Sequence, residues 1–137
     1  MGMRLEISRY VLIGISQISA AAAPREACGL LFGSANRISD WQVAENVAET
    51  PEIHFEIDPR TLFAALKAER SGGPPVAGYW HSHPSGDPTP SATDAAMAAP
   101  DGKIWLVVGG SAVTAWRAVE QGALHGRFDF LVVDLID

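Results

Sequence analysis

Basic residues are scarce in this chain of 137 residues. It carries 10 Lys and Arg against 16 Asp and Glu, which gives a formal net charge of −6. Binding to a nucleic-acid backbone needs clustered positive charge to neutralise phosphates, and these basic residues form no such cluster. We therefore expect no nucleic-acid partner and favour a neutral or basic protein or peptide.

The sequence contains a single cysteine, Cys28. One thiol cannot form an intramolecular disulfide, so nothing requires an oxidising compartment and we expect a cytoplasmic protein. Because a free cysteine commonly packs as a small hydrophobic residue, Cys28 is predicted to be a buried structural thiol and not a metal ligand.

The most apolar stretch near the N terminus, residues 10–23, resembles an export signal in its layout, since arginines precede it and alanines end it. Polar residues interrupt it, however, and Val11, Ile15 and Ile18 recur at helical spacing, as on the packed face of an amphipathic helix. The stretch is also too short and too polar to span a bilayer. We therefore expect a packed helix and no membrane association.

Length and composition predict one domain over residues 1–137, because 47% hydrophobic residues are enough to fill a single core. The predicted strands are 4–7, 26–33, 38–44, 54–57, 76–82, 104–108, 112–118 and 128–136. The predicted helices are 8–23, 59–70 and 91–98. Strands interleaved with helices in so small a unit indicate an α/β or mixed α+β fold, with the topology left open.

The most informative stretch runs from His81 to Asp94. Residues two apart in a strand face the same side, so His81 and His83 can present two imidazoles to one point. Asp94, one turn into the following helix, can supply a carboxylate as the third ligand. Two imidazoles and a carboxylate with an open fourth position are typical of a catalytic zinc site.

Each of these residues also has an ordinary structural interpretation. A His-x-His pair alone is weak evidence for a metal, because many metals accept imidazole. Ser91 and Asp94 resemble a capping box at the start of a helix. Glu26 alone would be interpreted as a solvated acid at a strand edge. The capping box does not explain two histidines at this spacing, so the three ligand types together favour a metal site.

The spacing of these residues also resembles a known motif. His81-x-His83, seven residues, Ser91, two residues and Asp94, preceded at a distance by Glu26, is similar to the motif of the JAMM (MPN+) metalloproteases. The segments that carry the resemblance to small stand-alone prokaryotic members are residues 24–33, 55–59 and 78–94, and the likeness covers most of residues 4–120. It implies a mixed β-sheet flanked by helices, of the MPN and cytidine-deaminase-like kind.

Carried over residue by residue, the resemblance implies that His81, His83 and Asp94 bind Zn²⁺. It further implies that Glu26 handles the proton in catalysis and that the Ser91 hydroxyl stabilises the reaction intermediate. All of these positions hold the residues of the active form, which speaks against the inactive MPN− scaffolds that lack ligands.

Two features depart from the pattern of the small bacterial relatives. Trp80 stands where another aromatic or aliphatic residue is more usual, and Gly109-Gly110 falls where a more polar strand end is expected. We take both departures to bear on substrate fit and not on metal binding. His54 and His125 have no partner at ligand spacing and are predicted to be ordinary strand-surface or loop residues.

The implied function is a zinc metallopeptidase that cuts a peptide or isopeptide bond after the C-terminal glycine of a ubiquitin-like or sulfur-carrier protein, similar to the Mec-type peptidases. One alternative is a metal-stabilised, non-catalytic MPN binding module. Another is a DNA-repair-associated protein of the RadC type, whose histidine loop is similar but usually has asparagine in place of Ser82. The scissile bond and homodimerisation stay open.

Overall fold

The computed structural model describes residues 3–137, which form seven strands and three helices. The strands are β1 (Arg4–Ser8), β2 (Cys28–Ser34), β3 (Arg37–Ala44), β4 (Val76–His83), β5 (Ile104–Gly109), β6 (Ala112–Gly122) and β7 (Gly126–Ile136). The helices are α1 (Arg9–Ala22), α2 (Pro59–Arg70) and α3 (Ala92–Met97). The predicted mixed α/β class is confirmed.

The strands form one closed, mixed sheet in the order β1-β3-β2-β4-β5-β6-β7, with β7 pairing back to β1. The β4–β5, β1–β3 and β1–β7 pairs are parallel, and the other neighbours are antiparallel. The closure is narrow on one side, because β1 pairs with β3 only at Arg37 and Ile38. The rest of β3 pairs with β2 alone and leaves one strand edge without a ladder partner.

Helix α1 packs on the sheet through the face that its spacing predicts. Val11 and Ile15 are fully buried in the main core cluster, and Ile18 packs against it. Residues 10–23 are therefore largely a packed helix, which ends at Ala22. Across residues 3–137, no helix combines the length and the apolar character needed to cross a membrane.

The strand predicted at residues 54–57 is wrong. Ile57 forms only an isolated bridge to Asn46, and the rest of the segment lies outside the ladders. The alternating pattern is nevertheless real, because Phe55 is buried between two more exposed neighbours. In so short a stretch, an irregular segment packed on a core shows the same alternation as a strand.

Trp80 lies on the face of β4 opposite to the histidines, where it is fully buried in the same core cluster as Val11. Its Nε1 donates to the Gln42 carbonyl at 3.2 Å. Gly29 on β2 makes room for the indole, since a Cβ there would overlap it. The unusual tryptophan therefore concerns core packing and not the surface that a substrate would meet.

Candidate metal centre and active site

The two histidines lie at the C-terminal end of β4 on one face of the strand. His81 is fully buried, and His83 is partly buried. Their Nε2 atoms lie 3.0 Å apart. Asp94 Oδ2 lies 3.0 Å from Nε2 of His81 and 3.1 Å from Nε2 of His83. Three donor atoms therefore converge on one point.

Asp94 reaches this point because of the helix that it helps to begin. The Ser91 hydroxyl accepts a hydrogen bond from Asp94 N at 3.0 Å, and Asp94 Oδ2 accepts one from Ser91 N at 2.9 Å. The predicted capping box is thus present. The same Oδ2 atom faces both imidazoles. One conformation of the Asp94 side chain therefore both caps the helix and brings the carboxylate to the two histidines.

The three atoms fit a small divalent cation. Nitrogen and oxygen ligands of a tetrahedral zinc ion, at about 2.0–2.1 Å from the metal, lie about 3.3 Å from one another. The separations here, 3.0 Å, 3.0 Å and 3.1 Å, are only slightly shorter. The donor types also match, because imidazole nitrogen and carboxylate oxygen are ligands that zinc accepts.

Two of the three groups in the cluster are held in the charge state that a metal ligand needs. Burial alone would raise the pKa of Asp94, but hydrogen bonds from His81 and His83 outweigh it and hold that pKa well below its usual range. Burial lowers the pKa of His81. Burial also opposes a charged His83, yet its contacts with Asp94 and Asp87 give a net rise in pKa. The ionised Asp94 and the neutral His81 are in the state that a cation requires, whereas His83 would have to release a proton before its Nε2 could bind one.

The loop after β4 orients the ring of His83. Its Nδ1 lies 2.9 Å from the Asp87 carbonyl, so Nδ1 carries the proton and Nε2 of the neutral ring is free to bind a metal. The loop is tied to β6, because the Thr114 hydroxyl donates to the Pro88 carbonyl at 2.5 Å. It also lies directly against β5, where a Cβ on Gly109 would come within 2.5 Å of Pro88 N. The glycine at position 109, which departs from the pattern of the small bacterial relatives, therefore allows the loop to pack directly against β5.

Aromatic packing fixes the ring of His81. Phe55 stacks on it with a centroid distance of 4.2 Å and an interplanar angle of 18°. Trp105 meets it edge-on at 5.8 Å. Nδ1 of His81 is buried without a hydrogen-bond partner among the described residues. Its orientation thus depends on packing, and Phe55 is a site residue that sequence patterning missed.

Glu26 is predicted to begin a strand, but β2 begins at Cys28. Glu26 therefore lies in the loop before β2. One of its carboxylate oxygens and a ring nitrogen from each of His81 and His83 lie within 4.8 Å of one another. Only 6% of the residue is exposed, so the interpretation as a solvated acid is wrong. Its Oε1 is buried with no hydrogen-bond partner in the described part of the chain.

Burial raises the pKa of Glu26 to about 7, although the neighbouring His83 works against that rise. The charge of Asp94 raises it further. A carboxylate with such a pKa exchanges protons readily at neutral pH, which is the property required of a general base. Its carboxylate lies beside the imidazoles of His81 and His83.

Glu26, His83 and Ser91 line a cleft with a volume of about 500 Å³. Its walls come from segments far apart in the sequence. The lining residues are Glu26, Glu52, Ile53, His83, Pro84, Ser85, Asp87, Thr89, Pro90, Ser91, Ala92, Leu124 and His125. His125 is therefore part of the wall, and its Nε2 lies 3.2 Å from the Pro90 carbonyl. His54 lies outside that lining, with Nδ1 2.8 Å from the Thr50 hydroxyl.

Cys28 is a buried free thiol, as predicted. Burial, together with the charge of Glu26, raises its pKa to about 12. Its Sγ lies 3.8 Å from the Ala44 carbonyl. The thiolate that a metal would need is thus strongly disfavoured.

Comparison with known proteins assigns the family. Residues 8–120 match the family described as prokaryotic homologs of the JAB domain. The chain belongs to that family. It is 37% identical to the desampylase of Haloferax volcanii over 91 residues, which cover 65% of this chain and 66% of that protein. It is 32% identical to the desampylase of Pyrococcus furiosus over 104 residues, covering 76% and 73%.

Solved structures agree on the fold. A protein of Desulfitobacterium hafniense has a TM-score of 0.79 and 24% identity, covering 97% of this chain and 93% of that one. A JAMM structure described as a metalloprotease-like zinc site in the proteasome and signalosome has a TM-score of 0.57 and 21% identity, covering 96% and 98%. The predicted MPN-like fold is confirmed, and so is membership of the JAMM-type family. The alignment spans just under two thirds of the Haloferax desampylase.

Burial of Glu26 makes the stability of the metal-free protein depend on pH with a definite sign. A folded-state pKa of about 7 against an ordinary value of 4.5 stabilises the fold fully below pH 4.5, and this contribution is lost as the pH rises through 7. Glu26→Gln abolishes that titration. The free energy of unfolding of the variant relative to wild type should therefore increase between pH 5 and pH 8, by up to about 3 kcal/mol. Urea denaturation of chelator-treated proteins measures it, and a difference that stays constant with pH would contradict the burial of an ionisable Glu26.

Gly109→Ala should weaken zinc binding without removing any ligand. The added Cβ must displace the loop at Pro88, which moves the Asp87 carbonyl away from His83. Loss of such an orienting contact typically lowers metal affinity by about 10- to 100-fold. Competition with a chromophoric chelator measures the affinity, with the exposed Ser111→Ala as control. A folded Gly109→Ala variant with wild-type affinity would show that the loop does not orient His83.

Proposed function

We propose that this chain is a zinc-dependent isopeptidase that acts on a ubiquitin-like protein. The observation that carries the proposal is the convergence of two imidazoles and a carboxylate beside the buried Glu26, with His83 and Glu26 lining a cleft. Membership of the JAB-domain family supports it. So do the two desampylases, relatives that act on ubiquitin-like SAMP proteins.

His81, His83 and Asp94 would hold the metal. When bound, Zn²⁺ polarises a carbonyl group and lowers the pKa of a water molecule to about 7. We assign the remaining steps to Glu26 and Ser91.

Glu26 would accept a proton from the attacking water and return it to the leaving amine. Its pKa of about 7 means that both the ionised and the protonated forms are populated at neutral pH. One carboxyl group can therefore act first as base and then as acid. No protein donor competes for its buried Oε1 among the described residues, so that lone pair is free for the proton.

Ser91 would stabilise the negative oxygen that develops during attack. Its oxygen accepts the hydrogen bond from Asp94 N, so its own O–H proton is still free to be donated. The residue lines the cleft next to His83. Donors of this kind contribute about 3 to 4 kcal/mol at best to the transition state.

The substrate that we propose in finer detail is a ubiquitin-like sulfur carrier, cut after its C-terminal glycine. A tail of glycines can lie extended in the cleft and bind through its main chain without needing side-chain pockets. Main-chain groups for that pairing are offered by the loops at the cleft, where Pro84, Pro90 and the exposed Ile53 form the walls, and by the part of β3 that pairs with β2 alone.

A non-catalytic, metal-stabilised binding module is less well supported by the site. A buried carboxylate without a hydrogen-bond partner costs stability, and a purely structural metal site gains nothing from it. A DNA-repair role is not favoured either, because Glu52 and Asp87 on the cleft would repel phosphates. Cytoplasmic localisation stays a prediction.

The test is hydrolysis of a carrier protein whose C-terminal Gly-Gly is joined to a lysine side chain. Mass spectrometry should show glycine-terminated carrier with wild type and not with chelator-treated enzyme. Glu26→Gln should keep its zinc and lose roughly 100- to 10,000-fold in rate, because the amide cannot accept the proton.

The exposed Glu49→Gln is the matched control and should cleave like wild type. Loss of zinc from Glu26→Gln would instead make Glu26 a ligand. If wild type cleaves unfolded peptides but leaves the carrier adducts intact, the protein is a general metallopeptidase and the proposed substrate is wrong.

A further inference from the structure

Asn46 is a buried amide in the segment 45–57, which connects β3 to α2 outside the strand ladders. Only 7% of the residue is exposed. Its Oδ1 accepts hydrogen bonds from Ala48 N and Glu56 N, both at 3.1 Å. Its Nδ2 donates to the His54 carbonyl at 3.0 Å. Asn46 thus fastens both halves of the segment to one point.

The second N–H of the same amide reaches Glu26. Nδ2 of Asn46 donates to the Glu26 carbonyl at 2.9 Å, and the N–H of Glu26 donates to the Pro51 carbonyl at 2.7 Å. Glu26 has no ladder partner of its own, because the paired positions of β2 begin at Cys28. The main-chain groups on both sides of its Cα are therefore held by segment 45–57.

The side chain of Glu26 has little else to fix it. Its Oε1 is buried without a hydrogen-bond partner among residues 3–137. The direction of the carboxylate towards His81 and His83 is therefore set mainly by the position of the main chain. That position depends on Asn46, whose amide uses its full capacity of two donors and two acceptors.

We propose that Asn46 is a positioning residue that sets Glu26 against the metal-binding face. The proposal rests on the proposed function, since it assumes that Glu26 moves the proton. Misplacing a reacting group by about 1 Å can cost about 100-fold in rate. Losing the amide would permit such a shift while the metal ligands keep their places.

A different role for Asn46 would be support of the cleft wall, because segment 45–57 also carries Ile53, which lines the cleft. The two roles differ in what they change. Loss of the wall weakens substrate binding and raises KM, whereas displacement of Glu26 slows the chemical step and lowers kcat. Ile53→Ala, which removes wall contacts only, serves as the reference for a KM effect.

The experiment compares Asn46→Ser and Asn46→Asp with wild type, with Ile53→Ala and with Asn36→Ser as the matched control in an exposed turn. Both Asn46 variants lose the N–H donors. We expect full zinc content, a kcat lowered roughly 10- to 100-fold with little change in KM, and faster amide exchange at Glu26 in the zinc-loaded protein. Asn36→Ser should match wild type in all three.

A rise in KM alone, as in Ile53→Ala, or unchanged amide exchange at Glu26 would overturn the proposal. So would failure of both Asn46 variants to fold, since Asn46 would then serve the fold as a whole. If wild type cleaves no carrier adduct, the proposed function fails, and amide exchange at Glu26 still decides whether Asn46 holds that residue.

Discussion

Three polar atoms, from His81, His83 and Asp94, lie about 3 Å from one another beside the end of β4, and their approach constrains the structure around them. Two imidazole nitrogens and a carboxylate oxygen, largely removed from water, are costly to bring together unless hydrogen bonds or a cation compensate. Different parts of the structure hold these groups in place. β4 sets the two histidines on one face, the capping box of α3 aims Asp94, and the Asp87 carbonyl fixes His83.

The same low-polarity surroundings explain Glu26. Removal from water favours its protonated form and brings its pKa to about 7. An acid that is unpaired and buried weakens the fold when it ionises, and such costs are concentrated at functional sites. The proposed metal ligands and the proposed proton carrier thus share one buried pocket, with Phe55 stacked on His81 as part of its wall.

Local patterns in the sequence predicted the structural features that depend on residues close together in the chain. The period of two in β4, the helical period of α1 and the capping box at Ser91 and Asp94 all have ranges of a few residues, and all are present. The period of two in β4 and the capping box together account for the spacing of His81, His83 and Asp94. The family resemblance pointed to Glu26, which no local pattern distinguishes from a surface acid.

The features that patterning missed depend on contacts between distant segments. Asn46 contacts Glu26, which is 20 positions away in the sequence, and Thr114 contacts Pro88, which is 26 positions away. Gly109 is required by a loop that the strand pattern of β5 does not reveal. Residues 54–57 alternate because Phe55 packs on a core and not because they pair. Tertiary packing of this kind leaves little trace in a single sequence.

X-ray absorption at the zinc edge, on protein purified without chelator, tests most directly whether the three convergent atoms bind zinc. The structure predicts a zinc ion with two imidazoles and additional oxygen ligands at about 2.0–2.1 Å, and loss of the ion when both histidines are replaced by alanine. A sulfur neighbour at about 2.3 Å would bring Cys28 into the site and contradict the proposed ligand set. Protein that neither retains zinc nor takes it up would contradict the metal centre itself.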